Sequence, residues 1–181
     1  LARQAIQRSQ EQLQLITDAI PDLISYVTRE ERYSFVNRAY EQWFGRPAGE
    51  IVGASTREIL GEEVHARVHP LHQRALAGEA VRSEQGLRNA RGALRQLEMR
   101  YLPDRGPDGQ ILGVVVVGND ITERKQAEEA VRRSEEQLRL ITDRLPAFVS
   151  YIDREGRYQF TNRTYEVWYG LKSSELRGKR R

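Results

Sequence analysis

The chain has 181 residues, no cysteine, and 29 basic against 26 acidic side chains, which gives a formal net charge of +3. The lack of cysteine excludes disulfides, thiol catalysis and thiolate metal ligands, and it fits a cytoplasmic location. Basic and acidic residues are interspersed, so the sequence shows no basic stripe for binding nucleic acid. No apolar run approaches the roughly 20 residues of a membrane span.

Residues 1–20 are predicted to form an N-terminal signalling helix that Pro21 ends. Small and apolar residues recur along it at alternating spacings of four and three, which is the a/d pattern of a coiled coil. The pattern favours a helix that pairs with a second copy of the chain. The alternative is a helix packed on its own domain. The seam consists of Ala2, Ile6, Ser9, Leu13, Ile16 and Ile20.

Residues 21–121 are predicted to form one complete α+β domain. Segments rich in β-branched and aromatic residues indicate strands, and glycine, proline and asparagine mark the turns between them. Two strands, several short helices and a three-stranded meander follow one another. This order predicts a five-stranded antiparallel sheet with short helices over one face. The strands are predicted at residues 23–28, 32–36, 81–88, 93–102 and 111–118, and the helices at residues 38–44, 48–51, 56–60 and 62–77.

Two local patterns refine this domain. Asn37 is placed to cap the helix at residues 38–44, and Gly45 is placed to end it. In the strand at residues 93–102, apolar and polar side chains alternate, which predicts one buried face and one solvated face. The predicted buried set is Leu97, Met99 and Tyr101, and the predicted solvated set is Gln96, Glu98 and Arg100.

Residues 122–145 contain neither glycine nor proline and are rich in good helix formers, so they are predicted to form one connector helix. The a/d spacing of the N-terminal helix recurs here, which predicts a homodimer through paired connector helices. The flanking helices of the domain are therefore both expected to be long and coiled-coil-like. The second seam consists of Ala127, Val131, Ser134, Leu138, Ile141 and Leu145.

The chain then repeats itself. Residues 138–170 match residues 13–45 at 19 of 33 aligned positions, at an offset of 125 residues. An offset of this size is that of a whole domain rather than of a short solenoid repeat. Residues 146–181 are therefore expected to form an incomplete second copy, with two strands and the first of its helices.

One set of segments is shared with a known family. It comprises residues 23–44, the helix before Gly78, the strands at residues 94–102 and 111–118, and Asp120-Ile121-Thr122 ahead of a charged helix. Together these segments resemble the PAS sensory domains with their trailing PAC segment. The resemblance implies a PAS fold and a sensory role within a tandem array of a bacterial signalling protein. It also implies an output domain outside this chain, such as a histidine kinase or a cyclic-dinucleotide enzyme.

The segment Asp120, Ile121 and Thr122 is expected to couple the sheet to the connector helix. A carboxylate at Asp120 can accept hydrogen bonds from the first amides of the outgoing helix. An ordinary helix cap would have the same sequence. The resemblance adds that a change inside the sheet would be passed on to the helix.

The resemblance also implies a ligand pocket beneath the helices. The alternative is that the aromatic side chains, spaced i, i+3 and i+4, form an ordinary core and that the domain is a ligand-free dimerisation scaffold. Without cysteine a light-driven flavin adduct is excluded, whereas a redox flavin stays open. No catalytic arrangement emerges, so this chain is not expected to be an enzyme. The candidate pocket residues are Tyr26, Asn37, Tyr40, Trp43, Phe44, His65, Met99, Tyr101 and Asn119.

Three histidines, His65, His69 and His72, are spaced i, i+4 and i+7. On an unbroken helix they would share a face, which suits a metal ion or a haem. Pro70 is expected to disturb that helix, so a shared face is not assured. The sequence therefore predicts histidines without a metal. If the domain is instead a haem-binding redox or gas sensor, His69 or His65 is the expected axial ligand.

Overall fold

The computed structural model describes residues 2–180 and the side chains of residues 7–180. The chain divides into two units, Leu1–Glu123 and Arg124–Arg181. The first part of the chain contains α1 (Ala2–Asp18), β1 (Leu23–Thr28), β2 (Tyr33–Val36), α2 (Arg38–Phe44), α3 (Ala48–Ile51), α4 (Thr56–Leu60), α5 (Glu62–Leu76), β3 (Val81–Arg88), β4 (Leu94–Arg105) and β5 (Ile111–Asp120). It is followed by α6 (Thr122–Asp143), β6 (Ser150–Ile152), β7 (Tyr158–Thr161), α7 (Arg163–Tyr169) and α8 (Ser173–Leu176).

The strands of the first unit form one antiparallel sheet in the order β2-β1-β5-β4-β3, which confirms the predicted five-stranded sheet. Strand β5 lies at its centre, between β1 and β4. Alternate side chains of the sheet pack with those of the helices that separate β2 from β3, because strand side chains project to opposite faces in turn. The buried core includes Leu23, Val27, Tyr33, Val36, Tyr40, Ile51, Ile59, Ala75, Val81, Leu97, Tyr101, Val114 and Val116.

Strand boundaries differ from the prediction mainly at the β4–β5 hairpin. Strand β4 runs on to Arg105, three residues beyond the predicted end, and β5 runs on to Asp120. Pro103 was expected to begin the turn, but it lies within β4 opposite Val114. Strand β3 begins at Val81, opposite Tyr101. Beyond that point β4 has a neighbour on only one side, so a residue without an amide hydrogen is tolerated.

Helix α5 corrects the expectation that Pro70 would disturb the histidine face. The helix is continuous from Glu62 to Leu76 with Pro70 inside it. A proline in a helix leaves the carbonyl four residues earlier without its amide partner. Here Pro70 and Ala66 are both exposed, so water can satisfy that carbonyl.

Glu98 corrects the expectation of a uniformly solvated outer face on β4. Its side chain is only 5 % exposed, although it lies on the face opposite Leu97 and Met99. The guanidinium groups of Arg82 and Arg100 both pair with its carboxylate. Long arginine stems cover the acid while their charged ends stay in water.

Helices α1 and α6 have 17 and 22 residues. Helix α6 ends at Asp143, two residues before the predicted end. The side chains of Ala2 and Ile6, the first seam residues, lie outside the described part of the chain. Among the described residues, no helix combines the length and the apolar character that crossing a bilayer requires. The large seam residues that are exposed are Leu13, Ile16, Ile20, Val131, Leu138, Ile141 and Leu145.

The second unit repeats the local geometry of the first. Strands β6 and β7 form a two-stranded antiparallel sheet with Tyr151 opposite Phe160 and an irregularity directly after Tyr151. Strands β1 and β2 have the same register 125 residues earlier, with Tyr26 opposite Phe35 and the irregularity after Tyr26. The repeat in sequence is therefore also a repeat in strand register.

Candidate functional site

A cavity of about 40 Å³ lies between the sheet and helix α5. A buried water needs about 10–15 Å³ of such space, so the cavity has room for only a few waters or a few heavy atoms. Its wall is mainly apolar, because β1, β4, β5 and α5 all present aliphatic side chains to it. The aliphatic and thioether residues of the wall are Leu23, Leu60, Val64, Val68, Leu87, Leu97, Met99 and Val116.

Polar groups meet the cavity at a few points. The Tyr40 hydroxyl donates to the Tyr33 hydroxyl at 2.6 Å, and the Gln85 amide donates to the Tyr101 hydroxyl at 3.1 Å. The His72 ring meets the Tyr101 ring edge-on, with centroids 5.4 Å apart. Burial raises the pKa of Tyr101 to about 12 and raises the pKa of Tyr40 further above its ordinary value. These phenols therefore stay neutral.

His72 is a polar residue of the cavity wall that can make a further hydrogen bond. It is buried, and its Nε2 atom has no hydrogen-bond partner among the described residues. Burial lowers the pKa of His72 to about 4, although the Glu31 carboxylate acts in the opposite direction. The imidazole is therefore neutral at neutral pH. A buried nitrogen without a partner is costly, so Nε2 marks the point at which a small ligand would gain a hydrogen bond.

The cavity gathers some of the sequence-predicted pocket residues and not others. Tyr40, Phe44, Met99 and Tyr101 line it. Tyr33, His72 and Gln85 also line it and were not among the predicted pocket residues. The alternation of apolar and polar residues along the strands and helices predicts which side chains face inward. It does not predict which of those inward side chains border a cavity. The predicted residues that lie elsewhere are Tyr26, Asn37, Trp43, His65 and Asn119.

Each predicted pocket residue that lies outside the cavity has a different environment. Tyr26 lies on the outer face of the sheet, where its hydroxyl donates to Asp104 at 2.7 Å. Trp43 packs against the core outside the cavity wall, and Asn119 is exposed near the end of β5. His65 lies in a separate cluster on α5, and Asn37 lies in a joint between α1, β1 and α2.

Asn37 is fully buried and makes four hydrogen bonds at that joint. Its Oδ1 accepts from the amides of Ile24 at 3.0 Å and Tyr40 at 3.2 Å. Its Nδ2 donates to the carbonyls of Thr17 and Asp22, both at 2.9 Å. The residue is thus the predicted helix cap, and it also fixes the end of α1 against the first strand.

The exit from the sheet is a second joint, at Asp120 and Thr122. The Asp120 carboxylate accepts from the Thr122 amide at 2.9 Å and from the Thr122 hydroxyl. That hydroxyl in turn accepts from the Gln96 amide of β4 at 2.8 Å, while the Gln96 carbonyl accepts from the Ile121 amide at 2.8 Å. The start of α6 is therefore fastened to β4 as well as to β5.

A cluster of polar side chains lies between α5 and the β1–β2 turn. The Glu31 carboxylate contacts His65 Nε2 at 3.3 Å and His69 Nδ1 at 2.7 Å, and it accepts from the Gln73 amide at 3.0 Å. Burial acts to raise the pKa of Glu31, but hydrogen bonds from His65, Gln73 and His69 outweigh it and lower the pKa below its ordinary value. Glu31 was not among the sequence-predicted site residues.

The cavity does not fit a haem held by His65 or His69. Both histidines border an outer cleft formed with Glu30, Ser55 and Arg57, and neither lines the core cavity. Pockets for drug-sized ligands commonly measure about 300–1,000 Å³, against about 40 Å³ here. A haem or a flavin would require the core to open substantially.

The sequence model of the family described as "PAS fold" matches residues 17–126, which is more than half of the chain. The match covers the cavity, the Asn37 joint and the Asp120–Thr122 joint. It begins inside α1 and ends inside α6, so it includes the attachment points of both flanking helices.

Two curated relatives are signalling proteins by name. The chain is 28% identical over 123 residues to the aerobic respiration control sensor protein ArcB of Escherichia coli (strain K12), covering 67% of this chain and 16% of that protein. It is 27% identical over 124 residues to the methanogenesis regulatory histidine kinase FilI of Methanothrix harundinacea (strain 6Ac), covering 68% of this chain and 14% of that protein. The chain thus spans about a sixth of the length of these relatives.

A solved structure with the same fold is the PAS domain of Bordetella pertussis BvgS. It superposes with a TM-score of 0.55 at 23% identity, covering 72% of this chain and 98% of that domain. At this identity the likeness concerns the fold alone.

Proposed function

Because this chain belongs to the PAS-fold family, we propose that its first unit is a sensory module that couples occupancy of the core cavity to the start of helix α6. The parent protein in this proposal is a cytoplasmic sensor, of the histidine kinase class that one of the relatives is named for. The output domain in this proposal belongs to another part of the parent protein.

The observation that carries the proposal is the position of Gln96. Its neighbour Leu97 lines the cavity, whereas the backbone of Gln96 holds Ile121 and Thr122 at the start of α6. A ligand that displaces the backbone at Leu97 also moves the adjacent peptide group. Interiors are closely packed and transmit such shifts, so the path from cavity to helix is one residue long.

The chemistry of the wall favours a small, uncharged ligand. Aliphatic side chains form most of the surface, and the polar groups are neutral phenols, one amide and a neutral His72. A charged ligand would lose its hydration without gaining a counter-charge. A ligand with one hydrogen-bond donor would instead satisfy the free Nε2 of His72.

Mass spectrometry under native conditions tests the ligand. Val68 lines the cavity and is buried, whereas the neighbouring Arg67 is exposed on the same helix. Val68→Phe fills the cavity, and Arg67→Phe adds the same ring outside it. We expect a small molecule to accompany the wild-type chain and Arg67→Phe but not Val68→Phe. Equal retention by both variants would show that the ligand binds elsewhere.

The proposal includes a homodimer through the flanking helices. Seam residues such as Leu13, Ile16, Val131, Leu138 and Ile141 are more than half exposed within the single chain. Apolar stripes of this kind are buried when two helices pair. Leu138→Asp should halve the mass measured by light scattering, whereas Gln137→Asp, beside the seam, should leave it unchanged. A wild-type mass equal to that of one chain would contradict the dimer.

A second candidate function is a ligand-free dimerisation scaffold. The small size of the cavity favours it, since about 40 Å³ leaves the core nearly filled. Native mass spectrometry, together with light scattering, separates the two candidate functions. A scaffold predicts no bound molecule in the wild-type chain or either variant, together with an intact dimer.

A further inference from the structure

The β1–β2 turn of the first unit has an unusual backbone. Glu31 has a φ of 57°, and it is the only residue other than glycine with a positive φ in the described part of the chain. The equivalent residue of the second unit, 125 positions later, is Gly156 with a φ of 74°. The turn therefore requires the left-handed conformation, which glycine adopts without strain and glutamate does not.

The strained residue places its carboxylate between two histidines. His65 and His69 are four residues apart on α5, so both rings reach the same side of the helix. Their ring centroids are 5.2 Å apart. The ligating atoms of Glu31, His65 and His69 all lie within 4.8 Å of one another. A backbone outlier that serves a side-chain cluster is a reason to look for a function.

We infer that Glu31, His65 and His69 form a binding site for a divalent transition-metal ion such as Zn²⁺. Two imidazole nitrogens and a carboxylate are a common three-ligand set for zinc, with water in the fourth position. The second unit has glycine at the turn and contains no histidine, so it carries no such site. This site is independent of the core cavity and of the proposed sensory function.

One of the ligand-to-ligand distances already suits a tetrahedral ion. Ligand atoms at about 2.0 Å from zinc lie about 3.3 Å apart around a tetrahedron. The contact between His65 Nε2 and Glu31 Oε2 already has that length, at 3.3 Å. The 2.7 Å contact of His69 must lengthen, which its partly exposed side chain permits.

The surroundings also fit a cation site. Gln73 donates to the Glu31 carboxylate, as groups around a metal centre commonly do to hold a ligand in place. The cleft beside the cluster has a volume of about 350 Å³ and is bordered by Glu30 and Glu62. It gives a hydrated ion access, and its two additional carboxylates favour a positive charge. Arg57 also borders it and pairs with Glu62 at 3.5 Å.

Isothermal titration of the purified chain with ZnCl₂ tests the site. Two variants remove a ligand: Glu31→Gly, which copies the second unit and removes the backbone strain, and His69→Gln. The matched control is Glu63→Gln. Glu63 is exposed on the same helix and does not border the cleft. We expect one Zn²⁺ per wild-type chain, an affinity lower by about tenfold or more in Glu31→Gly and His69→Gln, and wild-type binding in Glu63→Gln.

Two outcomes would overturn the inference. One is a wild-type chain that takes up no Zn²⁺ at a one-to-one ratio. The other is binding that Glu31→Gly and His69→Gln leave unchanged, which would place the ion elsewhere. Circular dichroism of each variant establishes that it is folded. Substituting Co²⁺ gives a second readout, since visible absorption bands of tetrahedral cobalt should appear in the wild-type chain and be lost in His69→Gln.

Discussion

The two units share sequence, caps and strand register, yet they differ in burial. Leu23 is 5 % exposed, whereas its equivalent Phe148 is 52 % exposed. Trp43 packs against the core of the first unit, whereas its equivalent Trp168 is 74 % exposed. The first unit has β3, β4 and β5 beneath these side chains, and the second unit has no counterpart of these strands in the described chain. Burial of one hairpin and one helix thus depends on strands that come much later in sequence.

The difference separates local from tertiary causes of structure. Asn162 makes the same four hydrogen bonds as Asn37, to Val149, Tyr165, Thr142 and Ala147. Gly170 ends α7 in the left-handed conformation, as Gly45 ends α2. These features join residues at most 20 positions apart, so they form with or without the later strands of the sheet. A hydrophobic core requires the whole sheet.

Limited proteolysis should show the largest contrast between the units. The part of the second unit that follows helix α6 has about 40 residues and no disulfide, a size that is marginal on its own, and it leaves Phe148, Tyr151 and Trp168 exposed. Trypsin should cleave residues 148–180 on the order of tenfold faster than residues 23–120. Peptide mapping over time measures both rates. Equal resistance would show that the second unit is covered by another surface, such as a partner copy.

The buried asparagines should differ in their contribution to stability. Asn37→Ala removes four hydrogen bonds from a packed core, although the Tyr40 amide still donates to the carbonyl of residue 37 and the Thr17 carbonyl still accepts from Ile20. The loss should lower the free energy of unfolding by about 3 kcal/mol. Asn162 is also fully buried, but Asn162→Ala should cost less because the second unit lacks the later strands that pack against the equivalent hairpin in the first unit.

Each unit contains one of the two tryptophans of the chain, so fluorescence can report on them separately. Urea unfolding of Asn37→Ala in a Trp168→Phe background follows Trp43. Unfolding of Asn162→Ala in a Trp43→Phe background follows Trp168. Equal losses at the two sites would mean that the joint at Asn162 is as stable as the joint at Asn37 without the later strands.

A pH effect caused by histidine should be confined to the first unit, which contains all three histidines. Burial lowers the pKa of His72 to about 4 in the folded chain, against about 6.5 for an unfolded histidine. The unfolded chain therefore binds more protons between these values. The free energy of unfolding should fall by up to about 3 kcal/mol as the pH is lowered from about 6.5 toward 4.

His72→Gln isolates this effect. The variant should lose the part of the pH dependence that Trp43 fluorescence reports, while the acid unfolding of the second unit, reported by Trp168, stays as it was. An unchanged slope for Trp43 would assign the acid sensitivity to another group, such as Glu31, whose hydrogen bonds lower its pKa in the folded chain.

The sequence predicted what depends on near neighbours. The cap at Asn37, the helix end at Gly45 and the order of strands follow from residues within a few positions. It did not predict that Glu31 lies beside His65 and His69, because those contacts join residues 34 and 38 positions apart. The sequence also predicted that Pro70 would disturb helix α5. The proline is tolerated because it is exposed to water, and that exposure is known only once the helix is folded.

Exchanging the residues of the β1–β2 turn and of the equivalent β6–β7 turn, by Glu31→Gly and Gly156→Glu, should give the smallest effect and tests a single backbone position. Nothing lies within 4 Å of a Cβ built at Gly156, so Gly156→Glu changes only the backbone preference at a φ of 74°. The left-handed conformation costs a residue with a Cβ about 1 kcal/mol. This cost should raise the proteolysis rate of the second unit about fivefold. Glu31→Gly should change the stability of the first unit by less, because relief of strain offsets the loss of the histidine contacts. A neutral Gly156→Glu would mean that the turn accepts glutamate freely, and Glu31 would then need no function to explain it.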